Sequence, residues 1–157
     1  MGSQNDIGRP REISVRGAVK LSEVVREVIR LGDASRTYWD RELPRHHPRY
    51  PVIRAGEVSA PPPPEDAQIQ ALLKSLPEDQ LYALLLLTYV GRGDFSADHL
   101  LPAYQTMKEV FPTRDLAVAQ MTGNKTLAEY LTDAMEEIQK RHIDLDSLTF
   151  ASTVAVS

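Results

Sequence analysis

LYALLLLTYV, residues 81–90, is the stretch on which the fold turns. Leu81, Leu84, Leu85, Leu86, Leu87 and Val90 leave a helix almost no polar face, and a helix that is apolar all round is buried all round. The run is about half of the roughly 20 residues that a membrane span needs. It therefore predicts the central helix of a globular domain. Pro77, Glu78 and Asp79 precede it, a proline and two acids suited to a first turn. GRGDFSADHLL (91–101) follows. Here Gly91 or Gly93 supplies the positive φ that ends the helix, and Asp94 or Ser96 caps the next one. Arg92, Gly93 and Asp94 also spell a tripeptide that adhesion receptors read. The turn accounts for the glycine and the acid by stereochemistry alone, so the tripeptide is read as a helix junction. Arg92 is expected to pair with Glu78, Asp79 or Asp98, or to point outward as an anion contact.

Outward from this helix the pattern stays helical. EDAQIQALLKSL (65–76) places Ile69, Leu72, Leu73 and Leu76 on one side. ADHLLPAYQTMKEVF (97–111) contains Pro102, which should kink the helix or delay its start. Thr113 caps RDLAVAQMT and Gly123 closes it. The last helix, TLAEYLTDAMEEIQKRH (126–142), opens with Thr126 and Glu129 as a capping-box pair. Towards the N-terminus, Leu21, Val24, Val25, Val28 and Leu31 form one stripe, and Gly32 stands where a helix stops. Prolines at 44, 48, 51 and 61–64 predict that no helix runs through residues 33–64. The four consecutive prolines predict a polyproline II spacer. EISVR (12–16) and PVIRAGEV (51–58) have the character of short strands. LTFASTVAVS (148–157) is β-prone but isolated, expected to be disordered or loosely packed.

The predicted architecture is thus mainly α, a small helical bundle in one domain. It has an N-terminal segment with a helix (1–32), an Arg/aromatic and Pro-rich connector (33–64), a helical domain (65–142) and a tail (143–157). Composition agrees: 157 residues with 42% hydrophobic and 25% charged side chains are ordinary for a globular protein. The absence of cysteine excludes disulfides, thiolate metal sites and cysteine nucleophiles. The first residues lack the apolar core of a signal peptide, so a soluble, cytoplasmic protein is expected. Net charge is −4, unevenly spread. Residues 1–60 hold 11 Lys+Arg against 8 Asp+Glu, and residues 61–157 hold 7 against 14. Such a split fits a basic arm for an anionic partner, or two halves that attract each other.

Over residues 76–135 the chain resembles a bacterial family known as a domain of unknown function. The residues that carry the resemblance are Leu76–Pro77, Leu84 with Leu85, the GRGDF turn (91–95) and LAEYL (127–131). The chain departs from that pattern at Lys125 and Ala134, where the family tends to a proline and a glycine. The resemblance implies a small helical fold and supplies no activity.

Motifs for chemistry are sparse. There is no phosphate-binding glycine loop, nucleophile elbow or zinc-protease helix, and no metal or cofactor is expected. His46 and His47 are adjacent, which in an extended segment points them apart. His99 with Asp94 and Asp98 could form an acid–base group, although helix N-termini attract acids for capping alone. The strongest candidate is residues 36–54. There Arg36, Arg41, Arg45, Arg49 and Arg54 interleave with Tyr38, Trp39 and Tyr50, and Arg92 is added from the turn. Guanidinium and aromatic groups together serve nucleic-acid phosphates and bases. The competing reading is that Trp39 and the tyrosines pin this arm to the acidic helical half. The leading expectation is a non-enzymatic interaction module, an adaptor or regulator that binds a protein partner and no membrane. A nucleic-acid or phosphate-binding accessory protein is the alternative, and a small hydrolase a third reading.

Overall fold

The computed structural model describes residues 20–148, so the expectations for EISVR and for nearly all of the tail lie outside the described residues. Those residues form a bundle of six α-helices without a strand. The helices are α1 (Leu21–His46), α2 (Pro64–Ser75), α3 (Glu78–Arg92), α4 (Leu100–Val110), α5 (Arg114–Thr122) and α6 (Leu127–Lys140), with 3-10 turns at Ala97–His99 and Leu145–Ser147.

The apolar run is the centre of the bundle. Leu81 and Leu84 through Leu87 are all buried on α3, which packs most extensively on α6 and also meets α1, α4 and α5. Two buried hydroxyls of this helix find carbonyl acceptors, one within the helix and one beyond α4. Thr88 donates to the Leu84 carbonyl at 3.1 Å, and Tyr82 to the Phe111 carbonyl at 2.5 Å. Gly93 ends α3 at φ 92°, the left-handed conformation that glycine adopts without steric cost. Gly91 does different work. A Cβ there would stand 1.8 Å from the Tyr130 carbonyl oxygen, so GRGDF and LAEYL are two sides of one close helix contact.

Most of the junction signals hold. Ser96 accepts from the Asp98 amide, and Thr113 accepts from the Leu116 amide at 3.2 Å. Pro102 sits in the first turn of α4, where its missing N–H costs nothing. Gly123 does end α5, but at φ −79°, which any residue adopts. The Thr126–Glu129 capping box does not form. The Thr126 hydroxyl bonds to Asn124 Oδ1 at 2.7 Å, and Glu129 pairs with Arg36.

The main correction concerns α1. It does not stop at Gly32 but continues through Tyr38 and Trp39 to His46, with Pro44 inside its last turns. The stripe of Leu31 is carried on by half-buried Ser35, Tyr38, Trp39 and Leu43, at the three- and four-residue spacing of a helix but with Leu43 as its one aliphatic member. Gly32 remains because α6 passes close by. A Cβ there would lie 2.8 Å from Ala128 Cβ. The connector therefore shrinks to residues 47–63, and PVIRAGEV forms turns rather than a strand. Of the four prolines, Pro63 is extended and buried, and Pro64 is the first residue of α2.

Candidate functional site

The arginine-aromatic segment divides at His46. Its first half is helix and is engaged. Arg36 reaches Glu129 of α6 at 2.5 Å, and Arg41 and Arg45 both bind Glu42. Trp39 donates from Nε1 to Asp66 Oδ2 at 3.1 Å, and Ser35 bonds to the same carboxylate. Tyr38 meets the Trp39 ring edge-on and donates to the Pro61 carbonyl. Trp39 and its neighbours thus face the acidic start of α2.

The second half is a loop that is anchored and displayed. His47 is 1% exposed. Its Nδ1 lies 2.7 Å from Glu57 Oε1 and its Nε2 2.8 Å from Ser59 Oγ. A carboxylate can only accept, so Nδ1 carries a hydrogen and donates. The hydrogen bond from His47, helped by the Arg54 backbone N–H, holds the Glu57 carboxyl below its ordinary range. The carboxylate that His47 meets comes from the return of the loop, ten residues on. His46 turns the other way, to Glu42 at 3.2 Å.

Hydroxyl, imidazole and carboxylate in this order can activate a nucleophile. Acyl transfer also needs oxyanion donors and a cleft for substrate. His47, Glu57 and Ser59 line neither of the two clefts at the GRGDF turn. The group reads as a latch that closes loop 47–59. Between its ends the latch presents Tyr50, Val52, Ile53 and Val58 to solvent at 42, 59, 53 and 80% exposure. Arg49 and Arg54 stand among them, exposed, with no ion pair among the described residues.

At the turn, Arg92 pairs with Asp94 at 3.2 Å rather than with Glu78, Asp79 or Asp98, and its guanidinium lies 4.8 Å from the Tyr89 ring centre. Asp98 is taken by Arg141 at 2.6 Å. The supposed acid–base group of His99 with Asp94 and Asp98 is therefore not assembled. Among the described residues no cluster of three or more His, Asp or Glu side chains could hold a metal ion, and no helix is long and apolar enough to cross a membrane.

The close contact of GRGDF with LAEYL is the structural core of the resemblance noted in the sequence. Residues 66–139 match DUF3775, a protein family of unknown function. The DUF3775 segment runs from the first turn of α2 to the end of α6, wider at both ends than residues 76–135. It leaves α1 and the displayed loop outside. No curated protein and no solved structure matches the chain.

Proposed function

We propose that this protein is a cytoplasmic, non-enzymatic interaction module that binds a protein partner through loop 47–59. The observation that carries the reading is the latched display of Tyr50, Val52, Ile53 and Val58 beside two unpaired arginines. Four exposed aliphatic and aromatic side chains on one short loop are costly to leave in water. Tyr and Arg are the residue types that dominate binding hot spots. The latch matters energetically, because a loop already held in place loses less conformational freedom when a partner binds. The nucleic-acid alternative draws on the same segment with less support. Three of its five arginines are tied to acids, so only Arg49 and Arg54 remain for phosphates.

The test compares the full chain with the double variant Val52→Asp, Ile53→Asp as bait in host lysate. A discrete protein retained by the first and lost by the second, with unchanged circular dichroism, is the expected result. Identical capture by both baits would end this reading. Salt-sensitive capture of nucleic acid by the wild type, lost on Arg49→Ala with Arg54→Ala, would put the alternative in its place.

A further inference from the structure

We propose that the cleft between the end of α3 and the α5–α6 loop binds a phosphate monoester. The cleft is shallow and open to solvent, with a volume of about 380 Å³, room enough for a phosphoryl group and part of a small molecule. Arg92, Gln120, Asn124, Lys125 and Tyr130 line it: two cations, two carboxamides, a phenol and no acid. On the other side of the same turn a second cleft is lined by Asp94, Asp133, Glu136 and Glu137, with Arg141 the one base. The GRGDF turn therefore separates a basic cleft from an acidic one, in the half of the chain where acids outnumber bases two to one.

Arg92 is oriented by two contacts. Its guanidinium lies over the Tyr89 ring, whose hydroxyl in turn accepts from Gln120 Nε2 at 3.0 Å, and its Nε is tethered to Asp94. Both terminal nitrogens are left without a protein partner among the described residues. A guanidinium held by its Nε side with a free fork is suited to bidentate capture of phosphate oxygens. Lys125 is exposed and has no ion pair among the described residues. Asn124 Oδ1 accepts from both the backbone N–H and the hydroxyl of Thr126, at 2.9 and 2.7 Å. Its Nδ2 hydrogens are then left to donate. The α6 helix begins two residues after Lys125 without a side-chain cap, so the positive end of its dipole adds to the same side.

Donors that converge from the end of α3 and from the α5–α6 loop surround a tetrahedral oxyanion better than a planar carboxylate. The volume beyond one phosphoryl group leaves space along Tyr130 for the rest of a small molecule or for a phosphorylated side chain. The proposal is independent of the loop-binding function, because the two sites share no residue.

Titrations of the isotope-labelled full chain at constant ionic strength test it. The probes are ribose 5-phosphate, phosphoserine, inorganic phosphate and acetate, read by amide chemical shifts. Saturable shifts confined to residues 92–95, 119–126 and 130 are expected with at least one ester and not with acetate. The stronger ester tells whether a metabolite or a phosphorylated protein is the source. Lys125→Ala, at an exposed position, and Arg92→Lys, which keeps the charge but loses the fork, should each weaken binding about tenfold, the effect of losing one charge-assisted contact. Affinity unchanged in both variants, shifts spread over other arginines and lysines, or binding of the inorganic ion but of neither ester would overturn the proposal.

Discussion

Gly91 and Gly93 lie two residues apart and are glycines for unrelated reasons. Gly93 needs its positive φ, and a Cβ there would meet nothing within 4 Å. Gly93→Ala should cost about 1 kcal/mol, the backbone penalty alone. Gly91→Ala would drive a Cβ into the Tyr130 backbone, which cannot yield without moving α6. A loss of about 3 kcal/mol or more is expected, at the upper end of overpacking effects. Urea denaturation of the two variants checks the order, and a larger loss at Gly93 would refute this account. Leu85→Ala, at a fully buried position on α3, should cost about 2–5 kcal/mol through the cavity it leaves. What was legible at this scale is what is local. A turn needs a positive φ wherever it occurs, so one glycine of the pair was bound to end α3. The Gly91 and Gly32 contacts were not legible, because the groups that exclude a Cβ belong to α6.

At the scale of elements, the apolar stripe of α2 and the apolar run of α3 placed those two helices, since aliphatic residues at helical spacing mark both a helix and its buried face, while Pro102, Thr113, Gly123 and Thr126 marked the bounds of α4 to α6. The course of α1 was hidden because its second half is half-buried through a tryptophan and a serine that bond to the Asp66 carboxylate and a tyrosine that bonds to the Pro61 carbonyl. Its start at Leu21 was legible, but what caps it was not. Asp146, from the 3-10 turn after α6, accepts from the Ser22 backbone N–H at 2.8 Å and from the Ser22 hydroxyl at 2.6 Å. This caps α1 from the far end of the described chain. Burial opposes ionisation of Asp146, but the two Ser22 bonds, with Lys20 and Arg26 nearby, hold its carboxyl below the ordinary 3.8. A depressed folded value stabilises the protein above the unfolded one. The cap is therefore fully present above pH 3.8 and is lost as the pH falls from there through the lower folded value. Asp146→Ala should cost about 1 kcal/mol at neutral pH, and Asp146→Asn should flatten the loss of stability measured between neutral and acid pH. A wild-type and Asn variant with parallel pH profiles would exclude the cap. The latch makes a separate prediction. His47→Ala removes a hydrogen bond to a carboxylate, a loss of about 1.5–3 kcal/mol. Trypsin cleavage after Arg54 should then accelerate about tenfold or more, because proteolysis follows the population of the open loop. An unchanged cleavage rate would mean that loop 47–59 is held by something else.

Across the whole molecule, the basic and acidic halves do not meet through a web of ion pairs. Among the described residues Arg36–Glu129 is the one ion pair that joins them, and the others are local to one half. With side chains 40 and 46% exposed, that pair is screened by solvent and adds little to stability. The junction rests more on the indole and hydroxyl that share Asp66, a part-buried acceptor with two donors. The sequence showed the charge split and the position of the only tryptophan. It could not show that Trp39 makes its contact across the halves as a hydrogen bond, since the partner stands 27 residues away on α2. Asp66→Ala strips two part-buried donors of their acceptor, a loss of about 1–3 kcal/mol, and should destabilise the protein more than Arg36→Ala does. It should also red-shift Trp39 emission and open it to iodide quenching, whereas Arg36→Ala should leave both unchanged. Raising salt to 1 M, where the screening length is about 3 Å, should abolish the stability difference between wild type and Arg36→Ala but leave the Trp39 spectrum in place. Single-stranded nucleic acid added near physiological salt should not move that spectrum either. Quenching by nucleic acid that fades steeply as salt rises would carry the signature of released counterions, and it would mean that α1 leaves α2 to bind, with the contacts of Asp66 exchanged for phosphate.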